Sequence, residues 1–207
     1  SADNLGEIIL DQIQAKETIL KRVTQVETTT ETATVHLADE EQRCFDFVID
    51  ARGFPKEEDD DIVQLDCLST NAAVVQTGPA VKNQRMTRSV ARPYGWVFII
   101  PLQNRTSYGY VYNAKLNDPE EITADLRAMM EAEGAPPIGS PKHLRFPNFV
   151  RKRALEGRIF RFGNSFSFIE PLEATAIGLH TVNIAQALHF PMGRWTKRFQ
   201  RLPFTSS

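Results

Sequence analysis

The sequence predicts a mixed α/β (α+β) fold in which an antiparallel sheet accompanies one well-capped helix. Three observations carry that expectation. Runs rich in β-branched and aromatic residues recur as far as Tyr112. A helix opens at Asp118-Pro119 with an apolar stripe behind it. From Ile159 onward a short strand, a turn and a second helix succeed one another, with a proline and a carboxylate where that helix opens.

The elements follow in order. Leu5, Ile8, Ile9, Ile13 and Ala15 form one apolar face of an N-terminal helix that Asp3 or Asn4 can cap. Ile19–Val26 and Thr32–Leu37 read as strands, with Thr28–Glu31 as the turn between them. Phe45–Ile49 is nearly continuously apolar, the pattern of a strand covered on both faces. It ends at Asp50-Ala51-Arg52-Gly53, where glycine permits a tight turn or close approach to the backbone. Glu57-Glu58-Asp59-Asp60-Asp61 reads as a solvated acidic loop; adjacent acids without spacing or glycine do not define a coordination loop. Val74-Val75, Trp96–Leu102 and Tyr108–Tyr112 are strands, and Gln103–Ser107 is a hairpin connection.

In the next helix Asp118 is the N-cap, Pro119 takes the first turn and Glu121 follows three residues after the cap. Ile122, Leu126, Met129 and Met130 make its stripe, and Gly134 closes it. Pro136, Pro137 and Pro141 mark an irregular connection, and Arg151-Lys152-Arg153 a solvated strand end. Ile159 and Phe160 form a strand; Ile177, Ile184 and Leu188 give the face of the last helix. Gly193–Arg201 alternates basic and aromatic residues, the look of an amphipathic segment packed on a neighbour, since the chain as a whole is not basic.

Composition excludes several classes. A length of 207 residues allows one large domain or two small ones, and 42% hydrophobic content supports a sizeable core. A formal charge of −2 argues against a nucleic-acid binder. Cys44 and Cys67 cannot make a disulfide framework; they are expected to be reduced, buried small hydrophobes, which suits a cytoplasmic protein. No apolar run is long enough to span a membrane, and the N-terminus lacks a secretory pattern. His180 and His189 lie nine residues apart, on different faces of a helix, so no metal site is expected. No internal repeat is present.

Phe168-Ile169-Glu170-Pro171-Leu172-Glu173-Ala174-Thr175-Ala176-Ile177 resembles the Phe-x-Glu-Pro-Leu-Glu-Ser-Thr-Gly/Ser-Ile motif of the flavin-dependent tryptophan halogenases. Gly95-Trp96-Val97-Phe98-Ile99-Ile100-Pro101-Leu102 is similar to the Trp-x-Trp-x-Ile-Pro motif of flavin halogenases, with Phe98 where that family usually has its second tryptophan. Arg105–Asn113 continues the likeness, and Asp50-Ala51-Arg52-Gly53 resembles the strand end that lies against the cofactor in flavin monooxygenases and halogenases. The resemblance covers nearly all of the chain but only a middle portion of a full enzyme. The family's Gly-x-Gly-x-x-Gly diphosphate turn does not occur, its lysine cannot be assigned, and its helical C-terminal extension is lacking.

The resemblance implies an incomplete flavin-monooxygenase-type FAD-binding fold with an antiparallel substrate-side sheet. Residues 1–55 and 157–192 would belong to the discontinuous FAD-binding domain, 56–156 to the substrate-side sheet domain and 193–207 to a C-terminal tail. It implies reduced FAD, supplied by a separate flavin reductase, and chloride or bromide, oxidised with oxygen to hypohalous acid that halogenates an electron-rich, indole-like aromatic. Glu173 matches the family's catalytic glutamate; its other reading is a first-turn glutamate that complements the helix dipole. Asp50, Gly53, Gly163, Asn164, Phe168, Pro171 and Leu172 match cofactor-binding positions. Thr175 and Ala176 match the halide site, and Trp96, Phe98 and Pro101 the substrate-side motif. Ala174 for serine loses a hydrogen bond, and Ala176 for glycine narrows the space beside the halide. Two other functions stay open at this point: a hydroxylating flavin monooxygenase, and a non-catalytic fragment or binding module of such an enzyme. Substrate identity and oligomeric state are not encoded legibly.

Overall fold

The computed structural model describes residues 8, 11–12, 15–55, 59–81, 86–171 and 177–185. In chain order the strands are β1 (Val23–Thr28), β2 (Ala33–Leu37), β3 (Gln42–Phe45), β4 (Val48–Asp50), β5 (Ile62–Gln64), β6 (Ala72–Gly78) and β7 (Arg88–Arg92). Then come β8 (Gly95–Pro101), β9 (Thr106–Tyr112), helix α1 (Pro119–Ala132), β10 (Ile138–Arg145), β11 (Phe149–Arg151), β12 (Leu155–Glu156), β13 (Ile159–Arg161) and β14 (Ser167–Phe168). Residues 177–185 are helical, as are residues 8, 11 and 12. Ala15, expected on the face of the N-terminal helix, is exposed and not helical, and the remaining residues of that helix and the whole of the basic–aromatic tail, with His189, lie outside the described residues.

The chain divides into two compact units, the first made of Ser1–Ile49 and Leu155–Phe160. Within it β1, β2 and β3 form an antiparallel sheet. The expected turn before β2 is present without glycine, because Thr29 Oγ1 accepts from the Thr32 N–H (3.0 Å) and the Glu31 N–H (3.2 Å), imitating a backbone turn. Phe45–Ile49 is not one doubly covered strand. β3 ends at Phe45 and β4 starts at Val48, each pairing in a different sheet, which leaves Phe45 and Ile49 exposed at 42% and 65%. Cys44 and Cys67 are both exposed rather than buried. Cys44 sits on edge strand β3 and Cys67 in the turn after β5.

The second unit comprises Asp50–Ala154 and Arg161–Ser207. Its centre is a five-stranded antiparallel sheet in the order β10-β6-β9-β8-β7. Helix α1 begins where expected: the Asp118 carboxylate accepts from the Glu120 N–H (2.8 Å) with Pro119 in the first turn. It ends at Gly134, whose φ of +69° is open to glycine without strain. Ile122, Leu126, Met129 and Met130 bury its stripe against Val74, Val97, Ile99, Tyr108, Tyr110 and Tyr112. Each such side chain contributes about 1.5–3 kcal/mol through burial, enough to fix which face of the sheet is covered.

Three further differences from the sequence expectation have clear causes. The proline-rich connection is strand β10, an edge strand whose register shifts between Ile138 and Lys142, around Gly139 (φ +71°) and Pro141. Buried Gln76 fills the irregularity, donating Nε2 to the carbonyls of Ile138 (2.9 Å) and Gly139 (3.2 Å). Strands β5 and β7 carried no readable alternation. In the helix at 177–185, Ile177 and Ile184 are exposed and Asn183 is buried, so the period was right and the covered face was not; Leu188 lies outside the described residues. The glycine-free β8–β9 hairpin closes as expected, the Leu102 N–H donating to the Arg105 carbonyl at 2.8 Å.

Candidate functional site

The turn after β4 and the segment after β13 meet to form one corner of the second unit. The Asp50 carbonyl accepts from the Phe162 N–H (2.9 Å) and from the Ser165 hydroxyl. The Asp50 carboxylate, only 7% exposed, accepts from Arg52 through Nε (2.8 Å), Nη2 (2.9 Å) and the backbone N–H (3.2 Å). Burial pushes this carboxyl up, but the Arg52 hydrogen bonds outweigh it and hold the group below its ordinary value. Phe54 then packs edge-on against Phe168 (5.2 Å) and Phe149 (6.5 Å). The expected cofactor-side residues Asp50, Gly53, Gly163, Asn164 and Phe168 are thus brought together by a few hydrogen bonds and one aromatic cluster.

Both glycines of the corner face open space. Among the described residues, Gly53 (φ +96°) has nothing within 4 Å of where a Cβ would lie, and Gly163 (φ +64°) meets only His180 Cε1 at 3.9 Å. Gly163–Ser165 forms one 3-10 turn, in which the Phe166 N–H reaches the Gly163 carbonyl at 2.9 Å. His180 Nε2 and Asn183 Oδ1, one turn apart on the helix at 177–185, are buried atoms without a hydrogen-bond partner among the described residues. Pro171 follows β14 and is partly buried. Glu173, Leu172, Thr175 and Ala176 lie outside the described residues.

Arg151 is not a solvated strand end. It is 7% exposed, and its Nε donates to the Ser165 carbonyl at 2.7 Å while Nη2 lies 2.6 Å from Asp59. Asp61 approaches its Nη1 to 3.7 Å with a side chain only 12% exposed, so the acidic stretch is in part a counter-charge rather than a solvated loop. The Arg151 hydrogen bond holds the Asp59 carboxyl below its usual range. Sequence reasoning also passed over Glu170, whose carboxylate accepts from the Thr70 hydroxyl, and Asn148, whose Nδ2 donates to the Thr70 carbonyl at 2.5 Å. These partners are 100 and 78 residues apart in the chain, beyond any local pattern.

The substrate-side motif lies on the central sheet. In β8 Val97 and Ile99 are buried in the core beneath α1, so Trp96 and Phe98 stand on the opposite face. Their ring centroids are 6.1 Å apart. Pro101 closes β8 opposite Thr106. On the core side Arg92 bonds Asp125, and burial pushes the Tyr110 phenol up to about 12. Among the described residues no group of side chains could hold a metal ion, and no helix is long and apolar enough to cross a membrane.

This architecture is that of the flavin-dependent halogenases. The flavin-dependent halogenase Xcc4156 from Xanthomonas campestris superimposes with a TM-score of 0.72 at 25% identity, over 82% of this chain and 36% of that one. The structure of the tryptophan 6-halogenase SttH from Streptomyces toxytricini gives a TM-score of 0.74 at 25% identity, over 92% of this chain and 39% of that one. In sequence, SttH is 33% identical over 135 residues, which is 63% of this chain and 25% of SttH. The family model described as tryptophan halogenase matches residues 10–199, and the chain belongs to that family. It spans 20–26% of the length of the curated relatives it matches.

Proposed function

We propose that this chain is the central portion of a flavin-dependent halogenase acting on an electron-rich, indole-like aromatic. The observation that carries the reading is the corner where Asp50–Gly53 meets Gly163–Phe168, within a chain of the tryptophan halogenase family. Its chemistry fits a flavin. Two glycine backbones face open space for a planar ring, and His180 Nε2 and Asn183 Oδ1 leave polar atoms for a ring edge. In this reading 1–55 and 157–192 belong to the cofactor side and 56–156 to the substrate side, with 193–207 as a tail.

Reduced FAD held there, delivered by a flavin reductase in the cytoplasm, would activate oxygen, and oxygen would be the oxidant that turns chloride or bromide into an electrophile, the remaining two electrons coming from the reduced flavin. In this reading Asp50, Gly53, Gly163, Asn164, Phe168, Pro171 and Leu172 would hold it, the N–H groups of Thr175 and Ala176 would hold the halide, and Glu173 would hold or take up a proton. Trp96, Phe98 and Pro101 wall the substrate, offering aromatic faces to an aromatic ring.

The test is anomalous scattering from bromide-soaked crystals of the complete protein. A bromide peak at the Thr175 and Ala176 amides supports the reading. No bromide there at high concentration, with residues 172–185 ordered in the crystal, contradicts it.

A further inference from the structure

We propose that Arg151 is the positioning residue of the cofactor corner, a role that rests on the functional reading above. Arg151 touches the corner from behind, on the last position of β11. Its Nε donates to the Ser165 carbonyl (2.7 Å) and its own N–H to the Phe166 carbonyl (2.9 Å), gripping the end of the turn that carries Gly163 and Asn164. Ser165 in turn donates its hydroxyl to the Asp50 carbonyl, and the Phe162 N–H does the same, so the Gly53 turn hangs on the same grip. On its other side the guanidinium is pinned by Asp59 (2.6 Å) and faces Asp61 (3.7 Å).

The 3-10 turn closes on itself through the Phe166 N–H to the Gly163 carbonyl and the Ser165 hydroxyl to the Phe162 carbonyl (both 2.9 Å). Its exit is held to β11 by two further hydrogen bonds, both supplied by Arg151. The planar guanidinium reaches a carbonyl and a carboxylate at once, which a lysine ammonium on a single point cannot do in the same geometry. Burial at 7% exposure makes the loss costly, since removing the guanidinium leaves the Ser165 carbonyl facing a vacated, desolvated space. As a positioning residue Arg151 acts through the Ser165 and Phe166 carbonyls.

The experiment compares the complete protein with its Arg151→Met, Arg151→Lys and Asp59→Asn variants. Hydrogen exchange is followed at the amides of residues 163–167 and, as an internal control, of α1. FAD affinity is followed by flavin fluorescence, and turnover by its dependence on FAD concentration. Arg151→Met should speed exchange at 163–167 about tenfold or more with α1 unchanged, as expected for loss of a local clamp. FAD should bind about tenfold more weakly, with turnover at saturating FAD kept within about threefold, the pattern of a lost positioning contact rather than lost chemistry. Lysine should restore part of the affinity. Asp59→Asn, which leaves the Ser165 bond in place, should shift both readouts in the same direction by less and keeps the inference testable should Arg151→Met not fold. Unchanged exchange at 163–167, or unchanged FAD affinity with only a lower unfolding midpoint, overturns the inference. Were wild-type protein to bind no FAD, the functional reading would fail, and with it the part of this inference that rests on it, while the exchange data would still decide the clamp.

Discussion

The ring of Phe98 lies across the backbone of Gly109 on the adjoining strand, so close that a Cβ at Gly109 would sit 1.9 Å from Phe98 Cζ. The two residues are direct partners in the β8–β9 register. The missing side chain at Gly109 gives the ring its bed, and Trp96, paired with Val111, extends the aromatic surface along the same strand. A glycine in mid-strand costs stability by itself; here its cost is offset by the ring that covers it.

Gly109→Ala should therefore force Phe98 out of position. The expected loss is about 1–3 kcal/mol, as for overpacking elsewhere in folded cores. Removing the ring as well, in Phe98→Ala with Gly109→Ala, should recover part of it, because the two substitutions share one contact. Urea unfolding of the two single variants and the double variant reads the coupling; strict additivity would contradict the packing described.

The 207-residue chain should fold without retaining FAD through gel filtration. It contains no Gly-x-Gly-x-x-Gly turn, which in dinucleotide-binding folds supplies the oriented N–H contacts to the diphosphate. Absorbance near the flavin bands of the eluted protein is the measurement, and stoichiometric yellow protein would count against the prediction.

Glu173→Gln, made in the complete enzyme, should keep shape while removing charge. Turnover should fall by about 10²–10⁴, the range that positioned acid–base groups supply. The unfolding midpoint should barely move, since first-turn charges contribute only about 0.3–1 kcal/mol. An unchanged rate would leave Glu173 as a residue that complements the helix dipole.

Acid should unfold the second unit through identifiable carboxylates. Arg151 holds Asp59 low, Arg92 holds Asp125 low, and at Asp50 burial is outweighed by Arg52. A folded pKa below the unfolded one means the folded state binds fewer protons, so the stability these groups contribute is present above about pH 4 and is lost as pH falls through the folded values. Tyr110 works in the opposite direction: buried, with a phenol pushed up to about 12, it keeps its proton when the unfolded chain would release it, so stability declines as pH rises from its ordinary value of 10.0. Urea midpoints across pH should be flat between these limits. In Asp59→Asn the acid limb should be shallower; an unchanged limb would remove Asp59 from the account.

How much of this was legible in the sequence depended on the distance between partners. Helix α1 was readable because Asp118, Pro119, its stripe and Gly134 are all local signals. β8 and β9 were readable from their runs of β-branched and aromatic residues, and the meeting of Asp50–Gly53 with Gly163–Phe168 was foreshadowed by motif resemblance. Arg151 was not, because an arginine in a basic triplet and an acidic run more than eighty residues away look solvated until the fold joins them. β10 was hidden by prolines that an edge strand tolerates at a bulge. Helical period gave a face to residues 177–185, but period alone does not say which face a neighbour covers, and the buried side chain is Asn183.

The most direct measurement is product formation by the complete protein, given FAD, a flavin reductase with its reductant, oxygen and an indole substrate, with and without bromide. Chromatography with mass detection should show a monobrominated product that disappears when bromide is left out and is replaced by a chlorinated one in chloride. A hydroxylated product that forms equally well without halide would contradict a halogenase and identify a monooxygenase.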